Sequence, residues 1–356
     1  MKILFGIHGV THTEIAQSEI KEFQQLGVET AVCTYGNWGS ASGLVGSMKL
    51  VIKNARELKR KAAEQGSDMV YLNTGLDFKT LVRDSITLFI LRRYRKDLKI
   101  VLKIHGSQSR FIFSKTNLLN KYVFNKASQL LVLSKEERQN FLSIGLPGNK
   151  VQVTANVIDK RLYKADPDFK QKAGIAAPTT LLLFVGRFMS EKGILDLIEA
   201  CKLMKEKSGN FKLVCLGNGP LFDEAAKKVS EYGLKEYVEL KGHIPEGEAT
   251  NYYANCDILV LPTYHEEGFP MAVFQAVGAG KPVITTQIRG AADHMVEYEN
   301  CLWVEAKNPT QISRQVMNLV NDKPLQEKMG RNNLILAEQF RAKKIVANLL
   351  ECFKLI

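Results

Sequence analysis

The sequence predicts an α/β protein built from two doubly wound parallel sheets, and three observations carry that expectation. Short runs of aliphatic and β-branched residues alternate with longer segments of helical period. The alternation occurs twice, in two series of six runs each, and glycines, histidines and acids gather where the runs end. The length of 356 residues suits two or three domains at roughly 100 to 200 residues each. A composition of 45% hydrophobic and 24% charged residues is ordinary for a globular chain and excludes a disordered or fibrous one.

In the first series, strands are expected at 2–7, 28–33, 68–73, 100–105, 130–133 and 151–154. A helical stretch over 14–26 ends before Gly27, and another over 48–65 stops at Gly66, as glycine-terminated helices do. Ser134 followed by Glu137 has the spacing of a capping box and opens the helix after the fifth strand. The second series places strands at 180–185, 211–216, 237–241, 258–261, 283–286 and 302–304. Between the series, 159–178 holds two prolines, several charges and no apolar period, which is the pattern of a linker. The expected domains are therefore 1–160 and 161–340, with a long helical end over 324–356 whose last part, about 341–356, crosses back to the first domain.

Several function classes drop out. The longest apolar run near a membrane span, 86–91, ends at Arg92 and Arg93, whereas a crossing needs about 20 apolar residues. The first ten residues run into Thr11, His12, Thr13 and Glu14 with no small-residue cleavage site, so they are expected to be a buried strand and not a leader. The six cysteines form no C-x-x-C pair, which points to buried thiols in a reducing cytoplasm and away from zinc or a disulfide framework.

The net charge of +12 is unevenly spread. Residues 1–160 hold 24 Lys and Arg against 13 Asp and Glu, and the remainder 25 against 24, leaving +11 and +1. A basic first half suits an anionic partner: nucleic acid, an acidic membrane surface or an anionic small molecule. No zinc finger, helix-turn-helix or aromatic RNA-binding motif accompanies the charge, so nucleic acid is not expected. The segment 86–99 sets apolar residues beside Arg92, Arg93, Arg95 and Lys96, the composition of a surface-docking helix or of a core helix with a basic outer face.

In doubly wound sheets ligands sit outside the carboxyl ends of the strands, and in a two-domain chain the default place is the crevice between domains. Gly186-Arg187-Phe188-Met189-Ser190-Glu191-Lys192-Gly193 closes the first strand of the second series and opens a helix. Arg187 offers a fork of donors and Lys192 a point charge, so a phosphate is held from two sides over helix amides. The plain alternative is a solvated basic turn paired with Glu191.

His265-Glu266-Glu267-Gly268-Phe269-Pro270-Met271 follows the fourth strand of that series, with Pro270 expected as the first helical residue. Amides from Met271 onward make an anion site, and Glu267 beside them accepts from hydroxyls, a combination that suits sugar plus phosphate. Alternatively Glu267 serves only the helix dipole. Gly217-Asn218-Gly219-Pro220 reads equally well as a tight turn or a ligand contact. The chain has Gly6-Ile7-His8-Gly9 in place of G-x-G-x-x-G and no G-x-x-x-x-G-K-[ST], which removes support for dinucleotide redox chemistry and P-loop hydrolysis. His8, His105 and His243 stand at strand ends, but no histidine pair has metal-ligand spacing and no nucleophile elbow is present.

With these segments side by side, the chain resembles the retaining glycosyltransferases of family 4, whose GT-B fold sets two Rossmann-like domains across a cleft. The likeness spans nearly the whole chain and includes Asn156-Val157-Ile158-Asp159, the Gly217 to Pro220 turn, Gly242, and Gly280-Lys281-Pro282-Val283-Ile284. It implies transfer of a sugar from a nucleotide-diphosphate donor, such as a UDP- or GDP-sugar, with retention and with no metal or other cofactor. The acceptor would be a glycan, a lipid-linked glycan or a small molecule, in polysaccharide or glycoconjugate biosynthesis, with the enzyme cytoplasmic or peripheral at the inner membrane face.

By the same resemblance the second domain holds the donor and the first the acceptor. Arg187 and Lys192 match the diphosphate-binding pair, Glu267 the first acid of the E-x7-E signature facing the donor sugar, and His105 the histidine near that sugar's reactive face. Gly242 and His243 fall where backbone meets the nucleobase, and Gly186, Gly217, Gly268, Phe269, Pro270 and Met271 complete the donor set. Gly9, Val10 and Thr11 fall at the acceptor turn, where this chain lacks the family's paired glycines.

Gln275 stands where the family commonly has the second acid, which grips the ribose. Exchanging a charged hydrogen bond of about 1.5–3 kcal/mol for a neutral one near 1 weakens donor affinity roughly tenfold without abolishing it. Two other readings keep the same motifs: a non-catalytic nucleotide-sugar-binding subunit, and a sugar-nucleotide epimerase or hydrolase of similar fold.

Overall fold

The computed structural model describes all residues except 8–12, 37–42, 108–117, 160–162, 208 and 355. The chain forms two compact units. Unit 1 comprises Met1–Val157, Glu266–Phe269 and Phe340–Ile356, and unit 2 comprises Ile158–His265 and Pro270–Gln339.

Unit 1 holds β1 (Lys2–Ile7), β2 (Glu29–Thr34), β3 (Met69–Leu76), β4 (Lys99–Ser107), β5 (Gln129–Val132) and β6 (Val151–Val153), all parallel in the order β2-β1-β3-β4-β5-β6. Both faces are covered, which is why the inner strands are largely apolar in sequence, whereas the edge strands β2 and β6 keep polar and exposed residues. Alternate side chains divide between two cores. Leu4, Leu72, Leu102 and Val132 meet Leu58, Leu88, Phe124 and Phe141 of helices Gly43–Glu64, Phe78–Tyr94, Leu118–Lys126 and Lys135–Ser143. Phe5 and Tyr71 meet Phe23 of helix Thr13–Gln25 and Phe353 of helix Ala342–Phe353. Within that second core the Lys103 ammonium is paired with the Glu19 carboxylate, and both side chains are almost completely buried.

Unit 2 holds β7 (Thr180–Val185), β8 (Phe211–Leu216), β9 (Val238–Gly242), β10 (Ile258–Leu261), β11 (Val283–Thr285) and β12 (Cys301–Trp303), again parallel, in the order β12-β11-β10-β7-β8-β9. The winding direction reverses between β7 and β10, and such switch points are where open parallel sheets take ligands. In unit 1 the reversal falls between β1 and β3.

The structure corrects four local expectations. Helix Gly43–Glu64 begins five residues before the expected start. The interval read as a linker is part of unit 2: Lys170 of the short helix Phe169–Lys172 donates to Asp257 at 2.6 Å, and the Asp166 amide donates to Asn255 at 2.7 Å. Its charges are partnered to the fold, so a charge-rich, aperiodic sequence did not mean a free one. The helical end breaks into Lys323–Ala337, the 3₁₀ turn Glu338–Phe340 and Ala342–Phe353, with Phe340 buried at the break. Pro270 is the residue before helix Met271–Gly278, one position earlier than expected.

Ser134 caps its helix by accepting from the Glu137 amide at 3.1 Å, while the Glu137 carboxylate accepts from the Leu133 amide at 2.9 Å. Five cysteines are buried and Cys352 is half-buried, all as free thiols, and burial pushes Cys201 and Cys215 well above the usual thiol range. Among the described residues no helix is long and apolar enough to cross a membrane.

Candidate functional site

In unit 2 the loops after β7 and β10, on either side of the switch point, carry the two sequence motifs. After β7 the chain turns at Gly186, makes a single 3₁₀ turn over Ser190–Lys192, and enters helix Ile194–Glu206 through Gly193 in the left-handed region at φ 71°. Gly193 cannot be replaced by a larger residue, because a β-carbon there would stand 2.5 Å from the Pro262 carbonyl oxygen. Arg187 is exposed. Lys192 is buried to 8% exposure, and its stem runs past Gly186, where a β-carbon would lie 3.8 Å from the Lys192 Cδ. The two cations thus occupy different environments on one short loop, Lys192 buried and Arg187 exposed.

The two loops are joined at one backbone acceptor and one hydroxyl pair. The Glu191 carbonyl accepts from the Tyr264 amide at 2.8 Å, the His265 amide at 3.0 Å and the Thr263 hydroxyl at 3.0 Å. Thr263 in turn accepts from the His265 amide at 3.2 Å, and the Ser190 and Tyr264 hydroxyls are 2.7 Å apart. Sequence reasoning placed Glu191 in the basic turn and Thr263 at a strand end, and did not find the bond between them. The backbone carbonyl of Glu191 leaves no mark in the sequence, and Thr263 shows only as a threonine two residues after β10.

On the same sheet Gly217 follows β8, Gly242 ends β9 and His243 comes next. The Gly217 amide donates to the Gly242 carbonyl at 2.7 Å, and the Gly186 amide donates to the Leu216 carbonyl at 3.0 Å, so three strand ends are stitched edge to edge. Gly217, at φ 136°, packs so closely on Gly186 that a β-carbon would overlap the Gly186 carbonyl. These glycines are thus accounted for by backbone approach. His243 is exposed at the end of this edge. Helix Met271–Gly278 begins after Pro270 without a side-chain cap, and Gln275 is half-buried in its second turn.

Unit 1 carries the remaining expected residues. His105, near the end of β4, is half-buried, and its Nε2 is hydrogen-bonded to the Asn73 side-chain amide at 2.7 Å, which orients the ring. Asn73 is 8% exposed on neighbouring β3 and was not singled out as a site residue. One residue on, Thr74 enters a buried network: the Arg83 guanidinium donates to Thr74, Tyr35 and Asp84, and the Tyr35 and Thr74 hydroxyls donate to Asp84. Burial pushes the Tyr35 hydroxyl far above its usual range.

Segment Glu266–Phe269 also belongs to unit 1. Gly268 lies against Leu133 and Glu137, where a β-carbon would stand 2.8 Å from the Leu133 Cβ. Phe269 is 4% exposed with its ring 5.2 Å from that of Phe340, so its side chain is a packing element, while Glu267 beside it stays half-buried. Gly9, Val10 and Thr11, the expected acceptor turn after β1, lie outside the described residues.

Residues 165–334 match the family model for glycosyl transferases group 1. An uncharacterized glycosyltransferase of Methanocaldococcus jannaschii is 26% identical over 260 residues, covering 71% of this chain and 68% of its own length. The capsular polysaccharide biosynthesis glycosyltransferase CapM of Staphylococcus aureus is 29% identical over 226 residues, covering 62% of this chain and 56% of its own. The aligned stretches span about half to two thirds of the curated relatives' length. The Anabaena protein HepE, crystallised with UDP-glucose, superposes with a TM-score of 0.77 at 21% identity over 100% of both chains. Sucrose-phosphate synthase of Thermosynechococcus elongatus does so with a TM-score of 0.79 at 16% identity over 99% and 98%. The paired parallel sheets are the fold of GT-B glycosyltransferases.

Proposed function

We propose, from the premise that residues 165–334 form a domain of the glycosyl transferases group 1 family, that this protein is a retaining, metal-independent glycosyltransferase using a nucleotide-diphosphate sugar. The observation that carries the reading is the pairing of Arg187 and Lys192 on one loop at the end of β7, beside the switch point and bound through Glu191 to the loop after β10. Breaking a sugar–phosphate bond develops negative charge on the diphosphate and oxocarbenium character on the sugar. Fixed cations and amides aimed at that charge are the largest single source of rate enhancement available to such a site.

Arg187 and Lys192 neutralise the departing diphosphate in the place a metal ion would take, helped by first-turn amides of helix Met271–Gly278. The acceptor hydroxyl attacks from the leaving-group face and passes its proton to the departing phosphate oxygen. Glu267 accepts from hydroxyls of the donor sugar and is a positioning residue. His105, held by Asn73, serves the sugar's reactive face, Gln275 binds the ribose, and the backbone of Gly242 and His243 meets the base. UDP is the favoured nucleotide, since HepE was crystallised with UDP-glucose.

The acceptor is a glycan or lipid-linked glycan taken by unit 1 at Gly9 to Thr11, in polysaccharide or glycoconjugate biosynthesis, with the enzyme cytoplasmic at the inner membrane face. The name of the Staphylococcus aureus relative supports polysaccharide biosynthesis. The test is a panel of nucleotide sugars read by thermal shift and by release of nucleoside diphosphate with acceptor present. Binding followed by release supports the transferase. Binding with no release in any acceptor mixture would favour a non-catalytic subunit, and release of a free or isomerised sugar without acceptor would favour a hydrolase or epimerase.

A further inference from the structure

Helices Gly43–Glu64, Phe78–Tyr94 and Leu118–Lys126 cover one face of the unit 1 sheet side by side, and their outer surface is unlike that of a solvated helix layer. On helix Phe78–Tyr94 the outward row is apolar: Phe78 is 58% exposed and Phe89 49% exposed, with Val82 and Ile86 half-buried between them. Phe78 and Phe89 are eleven residues apart, three helical turns, and therefore share a face. Tyr94 at the end of the helix and Val45 on the neighbouring one are also exposed. A soluble helix normally turns charged and polar residues outward.

Cations frame this row. On helix Gly43–Glu64, Lys49, Lys53 and Arg56 recur at i, i+4 and i+7, all exposed, and none makes a close ion pair among the described residues, Lys53 only lying near the Glu57 carboxylate. The acids of that helix are already engaged, since Arg60 holds both Glu57 and Glu64 at 2.6 Å. Lys59 lies over the Tyr94 ring and joins the two helices. At the far end, a groove of about 680 Å³ is lined by Phe89, Arg93, Lys96, Lys99, Tyr122 and Lys126, with Asp97 its one acid. Arg93 covers the Phe89 ring and Lys126 the Tyr122 ring, so each aromatic wall carries a positive charge. Arg92 is committed to the scaffold, donating to the carbonyls of Lys96, Leu98 and Lys126.

We infer that this three-helix face docks on a lipid bilayer bearing anionic headgroups, with Lys49, Lys53, Arg56 and the groove cations at the phosphates and Phe78 and Phe89 at the acyl boundary. The charge excess of residues 1–160 gives the complementarity, and the apolar row decides the occupant. A phosphate-rich polymer would satisfy the cations and leave Phe78, Val82 and Ile86 against water, whereas a headgroup layer takes aromatic and basic side chains together. The inference deepens the membrane-face setting proposed above by naming the surface that docks, and its test stands apart from the transferase reading because vesicle binding is read without turnover.

The test is co-sedimentation of the full chain with phosphatidylcholine vesicles and with vesicles containing phosphatidylglycerol, at low and at physiological ionic strength. Binding confined to the anionic vesicles and weakened by salt is expected. The Lys49→Glu, Lys53→Glu, Arg56→Glu triple variant should bind about a hundredfold more weakly. The Phe78→Ser, Phe89→Ser pair should bind more weakly while keeping its salt dependence, and charge reversal at Lys207, Lys227 and Lys235 of unit 2 should change nothing. No binding at low salt, equal binding to neutral vesicles, or unaltered binding of both the triple and the paired variants would overturn the inference. So would displacement from vesicles by a nucleic-acid competitor that the Phe78, Phe89 variant binds as well as the parent.

Discussion

The Thr263 hydroxyl donates to the Glu191 carbonyl at 3.0 Å, and through that bond the threonine after β10 supports the cationic loop after β7. Thr263 is 1% exposed and also accepts from the His265 amide, so its hydroxyl completes two backbone groups at once. Thr263→Val keeps the shape and removes both bonds. It should cost about 1–3 kcal/mol of unit 2 stability, the usual penalty for stranding buried polar groups. Urea unfolding checks the cost, and calorimetry should show weaker nucleotide binding with Arg187 and Lys192 unaltered.

Arg187→Ala and Lys192→Ala should each lower turnover by about 10²–10³, the range for removing one fixed donor to a developing anion. Steady-state kinetics with saturating donor separates this from loss of affinity. Chelator should leave the rate of the parent enzyme unchanged if these two side chains do the work of a metal, and a rate that falls with chelator and returns with magnesium or manganese would contradict the assignment.

Gln275→Glu restores a charged acceptor toward the ribose. Donor affinity is expected to rise roughly tenfold, with little change in the rate at saturation. Titration with nucleotide and with the corresponding 2′-deoxynucleotide tests the contact, since the gain should vanish with the deoxy form.

The Lys103–Glu19 pair is fully buried beneath Tyr71 and Phe353 in unit 1. Lys103→Met should destabilise unit 1 by about 3–5 kcal/mol, because the Glu19 carboxylate is left without its partner, whereas Lys103→Met with Glu19→Leu should cost much less. Denaturant midpoints of the two variants give the comparison.

Most strands could be read from the sequence because those inside the sheets are buried on both faces, and a short apolar run between turn residues is what such burial requires; the edge strands β2, β6 and β9, partly exposed, were marked by short β-rich runs instead. Strand ends moved by up to three residues, and the start of helix Gly43–Glu64 was hidden, since Val45 and Lys49 face outward there and break the apolar period. At the candidate site the basic loop and the acidic loop were legible as local motifs.

What could not be read is how they are supported. Glu191 and Thr263 are 72 residues apart, and Tyr35 and Arg83 are 48 apart. Arg83 and Asp84 look in sequence like surface charges of a helix, yet both are 1% exposed because Tyr35 and Thr74 complete their hydrogen bonds. The glycine turn after β8 read equally well as a tight turn or a ligand contact, and the sequence did not show that Gly217 packs directly on Gly186.

The most direct measurement is a crystal structure of the protein soaked with UDP-glucose. The account predicts the diphosphate within hydrogen-bonding distance of both the Arg187 guanidinium and the Lys192 ammonium, at the ends of β7 and β10. Diphosphate bound away from these two side chains, with no ordered contact to either, would contradict it.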